Sequence, residues 1–299
     1  MFKALGDILR MIRFSHTVFA LPFALIAAFL AGRGGEPGYP GHGPLVLIVA
    51  CMVFARSAAM TFNRLVDRRI DARNPRTAGR ELPTGRIRPG AAWTFFVVCC
   101  AGFVGTTVLF WQPVGGWFGY GNPWPTVLSG PFLVFLCVYS YTKRFTALSH
   151  FWLGASLMLA PVGAWIALAP PEGSLVSVEA VLLAAAVLLW VGGFDIVYAC
   201  QDIEVDRREG LYSLPAKLGA PLALWVSRLC HSLMVTALLG LGLLVPELGG
   251  LYLAGVLVAA GLLVVEHILV AAGQVRWAFN LNTLVGMLLA ATTIADLVA

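Results

Sequence analysis

Nine long apolar runs leave this chain few ways to fold: they lie near residues 14–32, 44–66, 91–111, 125–142, 151–169, 176–200, 219–243, 249–271 and 281–298. Each is close to the roughly 20 residues that a helix needs to cross a bilayer. The expected architecture is therefore an all-α polytopic membrane protein, one domain over residues 1–299 with nine transmembrane helices in a single bundle. Composition agrees, since 59% hydrophobic residues, 12% charged residues and a mean hydropathy of +0.85 lie far from a soluble domain. Lys3, Arg10 and Arg13 precede the first run, which lacks an obvious small-residue cleavage site and reads as a retained helix.

The charges orient the bundle. Arg64 through Arg88, Lys143-Arg144, Arg207-Arg208, Lys217 and Arg276 fall on the same side as the basic N-terminus, while the opposite loops hold Arg33 and a few acids. By the positive-inside rule the N-terminus is cytoplasmic, and nine crossings put the C-terminus outside. This asymmetry accounts for the net charge of +5 without nucleic acid as a partner. The six cysteines all fall in apolar runs without a C-x-x-C pair, so they read as packing residues rather than a zinc site or disulfides. His16, His42, His150, His231 and His267 show no metal-ligand spacing and receive no role. Glu266, Arg228 and Asp296 read as snorkelling side chains near helix ends.

The chemistry concentrates where the second run ends. Asn63, Asp67 and Asp71 stand at i, i+4 and i+8, which on a helix places an amide and two carboxylates along one face, about 6 Å apart in rise. Mg²⁺ binds one or two carboxylates and completes its shell with water and phosphate oxygens, so this ladder suggests a metal-pyrophosphate site. The sixth run ends in a similar stretch, with Asp202 and Asp206 at i, i+4 and Asp195 on nearly the same face about 10 Å deeper. Each stretch is followed by a basic loop and a Leu-Pro pair, Leu82-Pro83 and Leu214-Pro215. Four crossings separate them, so both acidic ends emerge on one side and can converge, with cations between them to offset their repulsion.

Other polar groups point to the same end. Arg56 lies seven residues before Asn63 on the same helical face, a costly place for an arginine unless it meets a polar cavity or a carboxylate. Tyr139 and Lys143 share a face at i, i+4, with Lys143 either gripping a phosphate or snorkelling at the helix flank. The segment Arg73 to Arg80 offers donors for anionic oxygens, Arg76 and Arg80 among them, within a Gly- and Pro-containing turn. Asn280 and Asn282 open the last helix and can add hydrogen bonds. Intramembrane acids also suit an ion-coupled transporter, the rival reading, but such a site usually lies at the midplane between inverted repeats. The two acidic stretches here have the same orientation and cluster at one face.

Together these residues resemble the UbiA superfamily of intramembrane aromatic prenyltransferases. Asn63, Asp67 and Asp71 match its N-x-x-x-D-x-x-x-D, Asn74 to Pro83 its N-P-R-T-x-x-R-x-L-P, Tyr139 and Lys143 its Y-x-x-x-K, and Asp202 and Asp206 its D-x-x-x-D with Asp195 upstream. The resemblance implies a nine-helix bundle whose central cavity opens to the cytoplasm and to lipid, in a bacterial inner membrane. It implies that Asn63, Asp67, Asp71, Asp202 and Asp206 hold Mg²⁺ on the pyrophosphate of a polyprenyl donor. Lys143, Arg76, Arg80 and Asn280 would then bind pyrophosphate, while Asp195, Arg56 and Tyr139 would act where the aromatic acceptor meets the allylic cation. Ser15 to Pro22 and Ala55 to Met60 are similar to the 4-hydroxybenzoate polyprenyltransferase-like subgroup, some of whose members resemble the futalosine-route enzyme of menaquinone biosynthesis. The alternative acceptor is therefore a futalosine-type, nucleoside-bearing molecule. Asn63-Arg64 stands where many ubiquinone enzymes have Asn-Asp. No feature calls for an obligate protein partner.

Overall fold

The computed structural model describes residues 2–12, 19–33, 39–111, 121–169 and 175–299. His16, the start of the first apolar run and the loops at 34–38 and 170–173 lie outside the described residues. An amphipathic α1 (Phe2–Met11) precedes the apolar α2 (Leu21–Gly32), whose buried face includes Phe23, Ile26 and Leu30. Then come α3 (His42–Arg73), α4 (Pro89–Trp111), α5 (Trp124–Thr142), α6 (Ser149–Leu168) and α7 (Val178–Ala199). A 3₁₀ turn (Cys200–Asp202) joins α7 to the short α8 (Ile203–Arg208), followed by α9 (Leu214–Leu218), α10 (Ala220–Leu244), α11 (Gly250–Ala271) and α12 (Val275–Val298). Among the described residues eight helices are long and apolar enough to cross a membrane, and α2 is a shorter apolar helix of 12 residues. The polytopic all-helical expectation is met.

Two departures from the expected boundaries shape the site. The second run ends near residue 66 by hydropathy, yet α3 continues through Arg73. At 1.5 Å per residue its 32 residues extend about 48 Å, against a hydrocarbon core of about 30 Å, so its last turns project beyond the apolar zone and carry the ladder with them. The sixth run does not continue as one α-helix into its acids. The 3₁₀ turn changes the register between Asp195 and Asp202, so the shared face expected for those two residues is interrupted there.

α7 is the central strut, buried over most of its length. Trp190, fully buried, packs its ring 5.0 Å from that of Phe23 and donates its indole N–H to Asn282 Oδ1 at 2.7 Å, which ties α7 to α2 and α12. Around it Leu183, Val187, Met234, Leu241, Val256 and Leu289 form the core, while Val97, Val134, Leu243 and Leu251 are exposed on the outer surface. A Cβ on Gly154 of α6 would lie 2.3 Å from the Leu188 carbonyl oxygen of α7, so only glycine permits this approach. The seam brings the first turn of α6 against the last turns of α7.

Candidate active site

At the end of the bundle that carries the basic loops, a polar cavity of about 300 Å³ opens between α3, α5, α6, α7 and α8. Asn63, Asp67 and Asp71 of α3 line one wall, and Asp195, Asp202 and Asp206 line another. Tyr139 and Lys143 reach it from the end of α5, and Arg76 and Arg80 from the loop after α3. The two acidic stretches thus share one chamber. Arg56 lines it from deeper on α3, and its Nε is buried with no hydrogen-bond partner among the described residues.

Three of the acids, Asp67, Asp71 and Asp202, are already paired with the protein's own cations. Asp67 accepts from Arg144 at 3.0 Å and from Asn63 Nδ2 at 3.1 Å, with Lys143 Nζ at 3.7 Å. Arg80 Nη1 donates to both oxygens of Asp71 at 2.7 and 2.8 Å. Arg76 forks onto Asp202, its Nε at 3.0 Å from Oδ1 and its Nη2 on Oδ2, and Asn74 Nδ2 adds a longer bond at 3.4 Å. Burial lowers the pKa of the Arg76 guanidinium, but the hydrogen bond and charge of Asp202 outweigh it and hold the group above its ordinary value. Repulsion between the acids is therefore offset by arginine and lysine, whereas the sequence pattern had called for metal cations to do so.

Among the described residues no three His, Cys, Asp or Glu side chains are grouped closely enough to hold a metal alone. The donor set still fits a hard cation. Asn63, Asp67, Asp71, Asp202 and Asp206 offer only oxygen ligands to the chamber, and Mg²⁺ needs one or two carboxylates once phosphate and water complete its shell.

A second, apolar cavity of about 160 Å³ runs deeper into the bundle past Met52, Phe103, Phe110, Leu128 and Phe132. It shares Arg56, Met60, Asn63, Tyr139, Leu153 and Leu157 with the polar chamber, so the two meet at those side chains. A molecule with an anionic head and a long hydrocarbon tail could lie across both.

Asn280 does not join the site. It is exposed and absent from the cavity lining, whereas Asn282 is fully buried against Trp190. Two residues on a helix are about 200° apart, so the pair cannot face one cavity. Conversely, His150 and Arg144 carried no role in the sequence reading. His150 sits in the first turn of α6, buried, with Nδ1 2.7 Å from Asp195 Oδ2. Its position at the start of an apolar helix on the acidic side was the one available signal. Arg144 differs from its neighbour Lys143 in reaching Asp67 directly while lying across the Tyr141 ring at 5.2 Å.

Residues 20–284 match the sequence profile of the UbiA prenyltransferase family. The chain belongs to that family. Among relatives within it, 4-hydroxybenzoate octaprenyltransferase of Marinobacter nauticus is 30% identical over 269 residues, covering 89% of this chain and 84% of its own. The protein of that name in Aliivibrio fischeri strain ES114 is 30% identical over 273 residues, 90% of this chain and 87% of its own. The apo structure of a UbiA homologue from Aeropyrum pernix superposes with a TM-score of 0.82 at 32% identity, over 94% of this chain and 98% of that one. A UbiA homologue from Archaeoglobus fulgidus, solved bound to GPP and Mg²⁺, shares the fold with a TM-score of 0.65 at 19% identity, over 98% of this chain and all of its own. This chain is thus an integral membrane protein of a family that transfers prenyl groups.

Proposed function

We propose that this UbiA-family protein transfers a polyprenyl group from polyprenyl pyrophosphate to an aromatic acceptor of the 4-hydroxybenzoate type. The observation that carries this reading is the junction of an acid- and arginine-lined chamber with an apolar cavity at Arg56, Asn63 and Tyr139. The pyrophosphate would lie at the chamber end, the prenyl chain in the apolar cavity and the acceptor between them. The names of the curated relatives favour 4-hydroxybenzoate over a futalosine-type acceptor.

Transfer breaks the bond from the allylic carbon to the pyrophosphate oxygen, and both electrons leave with the pyrophosphate. Lys143, Arg76 and Arg80 stand where that charge accumulates and stabilise it through charge-assisted bonds. Mg²⁺ held by Asn63, Asp67, Asp71, Asp202 and Asp206 would supply further charge to the departing group. The low-dielectric cavity and the Tyr139 ring shelter the allylic carbon from water. A ring carbon of the acceptor then supplies the electron pair for the new C–C bond, and its proton passes to Asp195. Arg56, an arginine in the bundle whose Nε lacks a partner among the described residues, suits an anionic substituent on the acceptor.

The test uses the full chain in lipid nanodiscs with radiolabelled geranyl pyrophosphate, Mg²⁺ and 4-hydroxybenzoate. A prenylated phenol is expected, abolished by EDTA and reduced at least about 100-fold by Asp202→Ala, as for loss of a major charge-stabilising contact. The absence of product with 4-hydroxybenzoate or any other phenol tested would reject the reading, and EDTA-resistant turnover would reject the metal.

A further inference from the structure

We propose that His150 is the positioning residue for Asp195, holding one carboxylate oxygen by an Nδ1–H bond so that the other is presented to the acceptor. This inference rests on the acceptor-side role of Asp195 given above.

Both nitrogens of the ring are accounted for. The Leu214 backbone N–H donates to His150 Nε2 at 3.2 Å. A backbone N–H can only donate, so Nε2 must carry a lone pair, and the proton of the neutral ring resides on Nδ1. An imidazolium would set one N–H against another. The 2.7 Å contact between Nδ1 and Asp195 Oδ2 is then a hydrogen bond donated by His150 to the carboxylate. The ring is 4% exposed, held at the α6–α7 seam beneath Gly154, so it has little room to rotate away. A hydrogen bond to one ring nitrogen fixes the tautomer that the other nitrogen offers.

The consequence falls on Asp195. Its side chain is 25% exposed on the chamber, and Oδ1 makes no hydrogen bond among the described residues. His150 therefore restrains the carboxylate through Oδ2 and leaves Oδ1 to meet the acceptor. Because Nε2 is occupied by Leu214, His150 does not pass the proton onward, and Asp195 alone receives it. The same loop that fixes His150 also fixes the donor end of the site. Gly210, at φ +66°, lets the chain turn back after α8, Leu211 N–H reaches the Asp206 carbonyl at 2.8 Å, and Tyr212 N–H reaches the Lys143 carbonyl at 2.6 Å. One short segment thus sets Lys143, Asp206 and, through His150, Asp195 relative to each other.

Two substitutions separate the two nitrogens. In His150→Asn the amide falls where Nδ1 was and can still donate to Asp195. In His150→Gln it falls where Nε2 was and can still accept from Leu214. With geranyl pyrophosphate and 4-hydroxybenzoate as probes, His150→Gln is expected to lower kcat by about 10- to 100-fold, with the KM for geranyl pyrophosphate unchanged, as for loss of a group that orients a functional ligand. His150→Asn should recover most of that loss. Equal losses in both variants accompanied by a raised donor KM, or wild-type turnover in His150→Gln, would overturn the proposal. Independently of activity, ¹⁵N spectra of histidine-labelled wild-type protein should show a protonated Nδ1 and an unprotonated Nε2 for His150; the opposite tautomer or an imidazolium would overturn it too. Failure of the wild type to prenylate any phenol would reject the enzymatic reading while leaving the tautomer assignment standing or falling on its own spectrum.

Discussion

Arg56 is the residue whose cost to the fold argues most directly for a role in binding. It lies seven positions inside Asn63 on α3, lines both cavities, and keeps its Nε buried without a hydrogen-bond partner among the described residues. A cation at such depth costs roughly 2.5–3.5 kcal/mol by insertion scales unless a partner or water offsets it. Replacing it with a neutral side chain of similar length should relieve part of that cost. Arg56→Met is therefore expected to raise the thermal midpoint of the substrate-free protein by a few degrees, corresponding to about 1–2 kcal/mol. The same variant should raise the KM for 4-hydroxybenzoate while leaving that for geranyl pyrophosphate nearly unchanged. A lower midpoint, read by thermal denaturation in nanodiscs, would show that Arg56 is a structural partner and not a binding group held in reserve.

At the scale of elements, the α6–α7 seam decides whether the two walls of the chamber stay in register. Gly154 meets the backbone of Leu188 so closely that a methyl group must push the helices apart, and overpacking of this kind typically costs about 1–3 kcal/mol. His150 and Asp195 face each other across the same seam one turn nearer the chamber, so the displacement should lengthen their 2.7 Å contact. Gly154→Ala is expected to lower both the thermal midpoint and kcat, whereas Gly261→Ala on α11, where an added Cβ meets nothing within 4 Å, should change both far less. Equal behaviour of the two variants would show that the close approach is not what holds the walls. These elements also mark where sequence reading stops. The Asn63–Asp67–Asp71 ladder was legible because its spacing is local to one helix, and its meeting with Asp202 and Asp206 because helix parity alone puts both at one end. His150 was not, since its partner lies 45 residues away on an antiparallel helix and nothing in local spacing records that contact. Glu266 read as a snorkelling acid, yet it is 1% exposed, with His231 Nδ1 4.0 Å from its Oε2. Hydropathy gives its distance from the helix end but not the rotation that turns it inward. Asp296, read the same way, instead caps α11 by accepting from the N–H groups of Gly249 and Tyr252 at 2.8 and 2.7 Å.

For the molecule as a whole, the polar chamber and the basic loops occupy one end of the bundle, and the positive-inside rule predicts that this end faces the cytoplasm. The two termini then lie on opposite sides only if the number of crossings is odd. Eight described helices are long enough to cross, so the parity rests on α2. Its 12 residues rise about 18 Å, little more than half of a 30 Å hydrocarbon core. Yet α2 is not a surface helix: Phe23, Ala24 and Ala28 are fully buried, and Phe23 packs on Trp190 of the central α7. It also ends beside Arg33, which bridges to Glu179 at 3.0 Å at the start of α7, the end of that helix remote from the chamber. A helix that packs on the central strut and finishes at its far end is expected to cross with it despite its length. Five long helices, α6, α7, α10, α11 and α12, separate the α5–α6 loop from Ala299, so alkaline phosphatase fused after Ala299 should be active outside the cytoplasm and the same reporter placed in that loop should be inactive. Activity in the α5–α6 loop would invert the whole assignment. α2 is tested at the other terminus, whose side it alone decides: an epitope tag before Met1 should be protected from protease added outside intact cells, and its digestion would show that α2 does not cross.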